Sequence, residues 1–238
     1  MYHHYASRKE AGRVLGDILA RRLFATSPVV VALPRGGVPV GFEISNQLNA
    51  PLDLLVVRKI GAPGHSELAC GAFILGGEVV WNTRVMKALR VTREDLEDTY
   101  QEEVEEARQR EEALRTPESP PLPLGGASVI IVDDGLATGA TMKAALRGIQ
   151  GEHPREIIVA VPIGPQSTCR ELEQMGCALV CDQRIDDISF SSVGEWYREF
   201  PQVSTEECRE LLVRSRRDLN TVADRKGGSE GAVSPQSH

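Results

Sequence analysis

Several classes of function are closed to this chain by what it lacks. A membrane-spanning helix needs about 20 consecutive apolar residues, and no run approaches that length; Val29–Leu33 and Val129–Val132 each stop after a handful. The opening Met1-Tyr2-His3-His4 has no signal-peptide core, so the expected location is cytoplasmic, with no membrane partner. Cysteine is sparse: Cys70, Cys169, Cys177, Cys181 and Cys208 form no Cys-x-x-Cys pair and leave an odd thiol over, which fits reduced cysteines better than a disulfide frame or a zinc site. Basic excess is also missing. With 27 Lys and Arg against 34 Asp and Glu the net charge is -7, whereas a general nucleic-acid binder needs a basic face to displace counterions. Aromatic residues make up only 5% of the chain. No Walker-type loop ending in Gly-Lys-Ser/Thr and no dinucleotide glycine fingerprint is present.

What is present suits one well-buried domain: 238 residues, 41% hydrophobic and 26% charged. Ser7 and Glu10 read as a capping box before an amphipathic helix carrying Val14, Leu15, Ile18, Leu19, Leu23 and Phe24. Val29–Leu33 reads as a short buried strand, Pro34–Gly37 as a turn, Val38–Asn49 as a helix and Leu52–Val57 as the next strand. After a loop at 61–66, the runs Leu68–Leu75 and Glu78–Trp81 meet at Gly76-Gly77, a hairpin signal. Most of the negative charge sits between Arg93 and Arg115, where ten acids face four bases. A capping box from Thr92 to Asp95 opens that segment, and Leu96, Tyr100, Val104, Ala107 and Leu114 form its single apolar stripe. It serves either as a cover or partner-binding helix or as a solvated amphipathic one. Four prolines and two glycines between Thr116 and Gly126 make a linker. Strands at 128–132, 156–161 and 177–181 then alternate with helices at 141–150 and 167–175, the βαβαβ pattern of a parallel sheet. The expected fold is therefore α/β, a parallel sheet flanked by helices. From Asn220 the tail is polar and rich in Gly and Ser, and disorder is expected. No internal repeat is visible.

The chemistry concentrates at Val129-Ile130-Ile131-Val132-Asp133-Asp134-Gly135-Leu136-Ala137-Thr138-Gly139-Ala140-Thr141. Four β-branched residues read as a strand buried on both faces, so the two carboxylates fall at its carboxyl end, where open α/β sheets bind ligands. The small residues leave backbone N–H groups unobstructed, and Thr138 and Thr141 add hydroxyls where a helix begins. That is a phosphate socket. A solvated Asp-Gly turn is the plain alternative, but it has no use for the Thr138 and Thr141 spacing. Carboxylates beside a phosphate must face something else, such as sugar hydroxyls or Mg²⁺, and a phosphorylated ribose satisfies both demands.

This run resembles the phosphoribosyl pyrophosphate (PRPP) signature of type I phosphoribosyltransferases. The resemblance implies that Asp133 and Asp134 hold the ribose diol and that Leu136, Ala137, Thr138, Gly139, Ala140 and Thr141 wrap the 5-phosphate. Pro34-Arg35-Gly36-Gly37 is similar to the family's pyrophosphate loop, in which relatives often hold a non-proline cis peptide. Arg35 offers a fork to phosphate oxygens, and Gly36 and Gly37 allow close approach. Arg58 and Lys59 supply further cations for pyrophosphate or brace a lid at 60–67; snorkelling surface charge is the competing account. Asp133, Asp134, Arg35 and Lys59 form the expected catalytic set. No protein metal ligand is expected, since Mg²⁺ would be borne mainly by the substrate near Asp133 and Asp134.

Together with Arg58-Lys59-Ile60-Gly61 and Val193-Gly194-Glu195-Trp196-Tyr197, the pattern looks like a subgroup of predicted phosphoribosyltransferases without an assigned substrate. The resemblance implies one domain over 1–218, with a helical insertion at 82–126, a C-terminal hood at 182–218 and a tail at 219–238. Ala137 stands where 6-oxopurine transferases usually carry an aspartate, which points away from hypoxanthine and guanine. Phe190, Trp196, Tyr197 and Phe200 could stack a planar base in the hood or pack as core. The implied partners are PRPP and a small nitrogenous acceptor, and homo-oligomerisation is left open. The implied activity is Mg²⁺-dependent phosphoribosyl transfer with pyrophosphate release. A non-catalytic PRPP sensor is the alternative, and a PRPP-making diphosphokinase a third reading.

Overall fold

The computed structural model describes residues 2–62 and 65–227, with backbone alone at 65–67 and 220–227. In chain order the elements are α1 (Arg8–Leu19), β1 (Pro28–Ala32), α2 (Gly37–Leu48), β2 (Leu52–Leu54), β3 (Val57–Ala62), β4 (His65–Ile74) and β5 (Val80–Trp81). There follow α3 (Thr83–Leu89), a 3₁₀ turn (Glu94–Leu96), α4 (Glu97–Leu114), β6 (Ser128–Val132), α5 (Ala140–Gln150), β7 (Glu156–Pro165), α6 (Gln166–Glu173), β8 (Ala178–Ile185), a second 3₁₀ turn (Gly194–Trp196) and α7 (Thr205–Gly227).

Five strands form a parallel sheet in the order β2-β1-β6-β7-β8. Because side chains alternate across a strand, Val30, Ala32, Ile130 and Val132 enter one core with Leu15, Val38, Ile44 and Leu212. Val29, Val31, Val129 and Ile131 enter another with Met142, Leu146, Ile149 and Leu172. Both faces are thus covered by helices, which is why these strands read as continuous apolar runs. The chain steps outward from β1 to β2 on one side and from β6 through β7 to β8 on the other, so the strand order reverses between β1 and β6. Loops leaving two such neighbours diverge and open a crevice at the carboxyl edge of the sheet.

The expected strand 52–57 is two elements. Leu52–Leu54 pairs with β1, whereas Val57 begins an antiparallel partner of β4; Leu55 and Val56 are buried in separate cores between them, so apolar character runs unbroken across a change of sheet. The hairpin across Gly76-Gly77 forms as expected, with Gly76 at φ 81°. Residues 60–62 of the expected lid belong to β3 and 65–67 to β4, while 63–64 lie outside the described residues.

Three other expectations change. Ser7 stands at the N-cap of α1 without a side-chain cap, and Glu10 alone closes back on the Ala6 N–H. β7 runs on through Pro162 to Pro165, past the expected end at 161. The proline is tolerated because β6 pairing ends at Val132↔Ala160, leaving that side of β7 unpaired beyond it. Finally, α7 carries helical backbone through residues 219–227, where disorder was expected; this stretch holds no helix breaker before Gly227. Residues 228–238 of the tail lie outside the described residues.

In the insertion, Thr92 and Asp95 close their capping box through both backbone N–H groups. α4 buries Ala107 and Leu114 with Leu96 just before it, and Tyr100 meets Phe73 edge-on at 5.1 Å. Buried Asp53 anchors the following linker by accepting from Arg115 at 2.6 Å and from the Leu122 N–H at 2.7 Å. The linker is irregular but held.

Candidate functional site

The crevice between β1 and β6 brings the two glycine-bearing loops into contact. Leu33 N–H donates to the Val132 carbonyl at 2.8 Å, continuing the β1–β6 register one step past the strands. A Cβ on Gly37 would lie 2.6 Å from the Val132 oxygen and 3.0 Å from Asp133 Cα, and one on Gly36 would lie 2.1 Å from Asp134 Oδ2. Only glycine lets these backbones meet. The Pro34–Arg35 peptide is cis. Gly36 and Gly37 therefore meet Asp134 and Asp133 directly, although the two stretches are about a hundred residues apart in the chain.

The acids differ in environment. Asp134 is mostly buried and accepts from Arg8 Nε through Oδ2 at 2.7 Å. Arg8 is itself fixed, its Nη1 donating to the Pro201 carbonyl at 2.7 Å and its guanidinium lying 3.7 Å over the Phe200 ring. The Tyr197 hydroxyl donates to the Asp134 carbonyl oxygen at 2.6 Å. Asp133 accepts the Asp134 N–H at 2.9 Å. Burial, and then the adjacent Asp134 charge, push the Asp133 carboxyl well above the usual carboxylate range. Asp133 thus holds its proton more tightly than an ordinary aspartate, beside an Asp134 carboxyl that Arg8 engages.

That asymmetry has a consequence for stability. A carboxyl whose pKa is higher folded than unfolded holds its proton longer in the native state, so its contribution is fully present below the ordinary aspartate pKa and is lost as pH rises through the folded value. Asp133→Asn keeps an acceptor for the Asp134 N–H and removes the buried charge. Its melting temperature should exceed that of the native chain at pH 8, with the gap closing as pH falls to about 4, the unfolded aspartate value. A gap that stays the same from pH 4 to 8 would contradict the assignment.

Beyond the acids, Gly139 at φ 69° stands at the N-cap of α5, and Ala137, Thr138 and Thr141 are exposed. Thr168 donates its hydroxyl to the Ala137 carbonyl at 3.0 Å, and Lys143 Nζ donates to the Thr138 carbonyl at 3.1 Å. In a trans peptide the C=O and N–H point in opposite directions, so holding these carbonyls turns the Thr138 and Gly139 N–H groups the other way. Among the described residues the N–H groups of Ala137, Thr138, Gly139 and Thr141 have no hydrogen-bond partner, and the positive end of the α5 dipole adds to them. An anion would satisfy them. Leu136 does not join this set: its side chain is buried in the core and its N–H donates to the Ile163 carbonyl at 2.8 Å, because an apolar residue one step past Gly135 turns into the interior.

Of the expected pyrophosphate cations, Arg35 and Lys59 are half-buried and have no side-chain partner among the described residues. Arg58 is committed elsewhere: its Nε donates to Glu103 at 2.5 Å and its Nη2 pairs with Glu106, both on α4. Alternation along β3 sends Lys59 to the opposite face. The hood aromatics are taken up by packing. Trp196 stacks on His4 and meets Tyr2 edge-on, Tyr197 packs on Tyr5 and Phe200, and Phe190 joins a small cluster with Trp196. The N-terminal segment claims these rings through the backbone bridge Tyr5↔Tyr197, leaving partly exposed Phe200 under Arg8.

Arg8, Thr168 and Lys143 were not singled out by the sequence, and Tyr197 was singled out only as a ring for the hood, not as the hydroxyl that donates to Asp134. Arg8 lies in the first turn of a helix like any solvated arginine, and its acid partner is 126 positions away. Among the described residues no helix is long and apolar enough to cross a membrane.

Comparison with known proteins gives the same picture. The phosphoribosyl transferase domain model matches residues 74–198, more than half of the chain. Two proteins from strains of Mycobacterium tuberculosis, each bearing the name "Putative phosphoribosyl transferase", are 38% identical over 215 residues, 90% of this chain and 48% of theirs. The chain thus spans about half the length of the curated relatives it matches. Among solved structures, TT1426 from Thermus thermophilus shares 34% identity, covers 89% of this chain and 98% of its own, and superposes with a TM-score of 0.80. With a crevice of this construction and these matches, the chain belongs to the phosphoribosyl transferase domain family.

Proposed function

We propose that the chain binds PRPP across the β1–β6 crevice and transfers its 5-phosphoribosyl group to a small nitrogenous acceptor, releasing pyrophosphate. The observation that carries this reading is the seating of Gly36 and Gly37 on Asp134, Val132 and Asp133, which makes one cleft of a diol-binding acid pair, an amide socket and an arginine loop. The reaction breaks the bond from ribose C1 to the diphosphate, so positive charge grows on the sugar and negative charge on the leaving group. Electrostatic stabilisation and positioning are then the main work.

In this reading Asp133 and Asp134 hold the two ribose hydroxyls, with Asp134 fixed in place by Arg8. The N–H groups of Ala137, Thr138, Gly139 and Thr141, with the Thr138 and Thr141 hydroxyls and the short side chain of Ala140 leaving room, hold the 5-phosphate. Arg35 and Lys59 meet the leaving diphosphate, with Gly36 and Gly37 giving backbone access. Asp133 and Asp134 are hard oxygen donors at the ribose end, fitting a Mg²⁺ ion borne mainly by substrate oxygens; bound there, it would neutralise diphosphate charge. Ala137 offers only a methyl group and a carbonyl already bonded to Thr168, so no side chain at that position takes a proton from the acceptor, which favours bases other than 6-oxopurines. Five free cysteines fit a reducing cytoplasm.

The test is pyrophosphate release from PRPP and Mg²⁺ over a panel of purine, pyrimidine and simple nitrogenous acceptors, alongside calorimetric binding of PRPP. Asp134→Asn should weaken PRPP binding at least tenfold, about 1.4 kcal/mol; unchanged affinity would remove the ribose assignment. Binding without release for every acceptor would overturn the transferase reading in favour of a PRPP sensor.

A further inference from the structure

The acidic insertion carries one cation toward the cleft. Arg110, on α4, donates through Nη2 to the Pro34 carbonyl at 3.2 Å, so the insertion reaches the loop expected to hold pyrophosphate. Positions 103, 106 and 110 lie on one face at helical spacing, and Glu103 and Glu106 on that face hold Arg58. Arg108, paired with Glu105, is on the exposed side.

The charges here are unbalanced in one respect. Arg110 Nη2 sits on the carbonyl of the residue before Arg35, and desolvation, then the nearby Arg58 and Arg35 charges, lower its pKa. Arg58 is neutralised by its two glutamates. Arg35 and Arg110 have no carboxylate within ion-pair range among the described residues. Cys208 of α7 approaches the Arg35 carbonyl at 3.8 Å, but burial, and then Glu207, push its thiol up to about 11, so at neutral pH it supplies no counter-charge. Two neighbouring guanidiniums held beside a glycine loop without an acid between them form a receptor for a multiply charged anion.

Resting on the reading that the cleft takes a diphosphate-bearing sugar, we propose that Arg110 is a second guanidinium ligand of the diphosphate, delivered by the insertion helix. Glu103 and Glu106 hold Arg58 so that it braces α4 against β3. The insertion thereby completes the leaving-group site from within the same chain, and its acidity serves to position it.

The experiment is calorimetry on the full chain with three probes in Mg²⁺: inorganic pyrophosphate, PRPP and ribose 5-phosphate. Arg110→Gln should weaken pyrophosphate and PRPP about tenfold and leave ribose 5-phosphate unchanged, because that sugar carries no diphosphate. Arg110→Lys should recover part of the loss, keeping the charge without the fork, and Arg108→Gln should bind all three normally. Equal losses for ribose 5-phosphate would mean that Arg110 only props the Pro34 loop and would overturn the proposal, as would pyrophosphate affinity unchanged in a folded Arg110→Gln chain. A native chain that binds pyrophosphate through Arg110 but neither PRPP nor ribose 5-phosphate would sink the transferase reading and leave an anion site at Arg110.

Discussion

Methionine in place of Arg8 should lower the melting temperature by roughly 10 °C and weaken PRPP binding more than tenfold. Removing one member of a buried ion pair strands the other charge at a cost of about 3–5 kcal/mol, and a domain of this size loses roughly 2–4 °C per kcal/mol. The pair qualifies because the side chains of Arg8 and Asp134 are only 10% and 16% exposed. Lysine should rescue little, since Arg8 divides its fork between Asp134 and the Pro201 carbonyl while lying flat on Phe200, and an ammonium reproduces neither the fork nor the plane. Combining Arg8→Met with Asp134→Asn should cost less than the sum of the two, because the stranded charge is gone. Thermal melts of the four proteins in this cycle decide it; strict additivity would mean that the pair is solvated.

Alanine at Gly37 should abolish measurable PRPP binding and destabilise the fold by about 2–3 kcal/mol, as overpacking against rigid structure does. The added Cβ would sit 2.6 Å from the Val132 oxygen, and Val132 belongs to a central strand that cannot retreat. Gly36→Ala should separate the two effects. There the clash is with the Asp134 carboxylate, a side-chain end that can swing away from Arg8, so binding should fall with a smaller loss of melting temperature. Denaturant unfolding and PRPP titration on both variants provide the check. If Gly37→Ala binds PRPP normally, the two loops do not form one site.

Much of the architecture was legible because it is local. β6 was expected at 128–132 and occupies Ser128–Val132, since four β-branched residues ended by two acids permit little else. α4 and its Thr92–Asp95 box were legible for the same reason: capping residues and an apolar stripe signal over a few positions. The α3 helix (Thr83–Leu89) falls inside the helical insertion expected at 82–126 but was not distinguished as a separate element, because its N-cap is a lone Asn82 side chain and its only buried residue is Met86.

The division between Arg58 and Lys59 was out of reach for another reason. Adjacent cations on a strand face opposite sides, and only the placement of Glu103 and Glu106, 45 and 48 positions further along, decides which cation is consumed. The hood aromatics were ambiguous in the same way: whether Trp196 stacks a ligand or a histidine depends on His4, nearly two hundred residues away.

The order of residues alone determined β6 and its end, the acid pair, the glycine and threonine spacing and the arginine loop, because each is written within a dozen consecutive positions governed by backbone sterics and hydrogen bonding. Tertiary structure alone decided that Arg8 fixes Asp134, that Thr168 and Lys143 hold the Ala137 and Thr138 carbonyls and so turn the following N–H groups outward, that Leu136 faces the core and that Arg110 reaches Pro34. Those contacts join distant segments, and their energy depends on burial and charge proximity, which come into being only when the sheet brings β1 and β6 side by side.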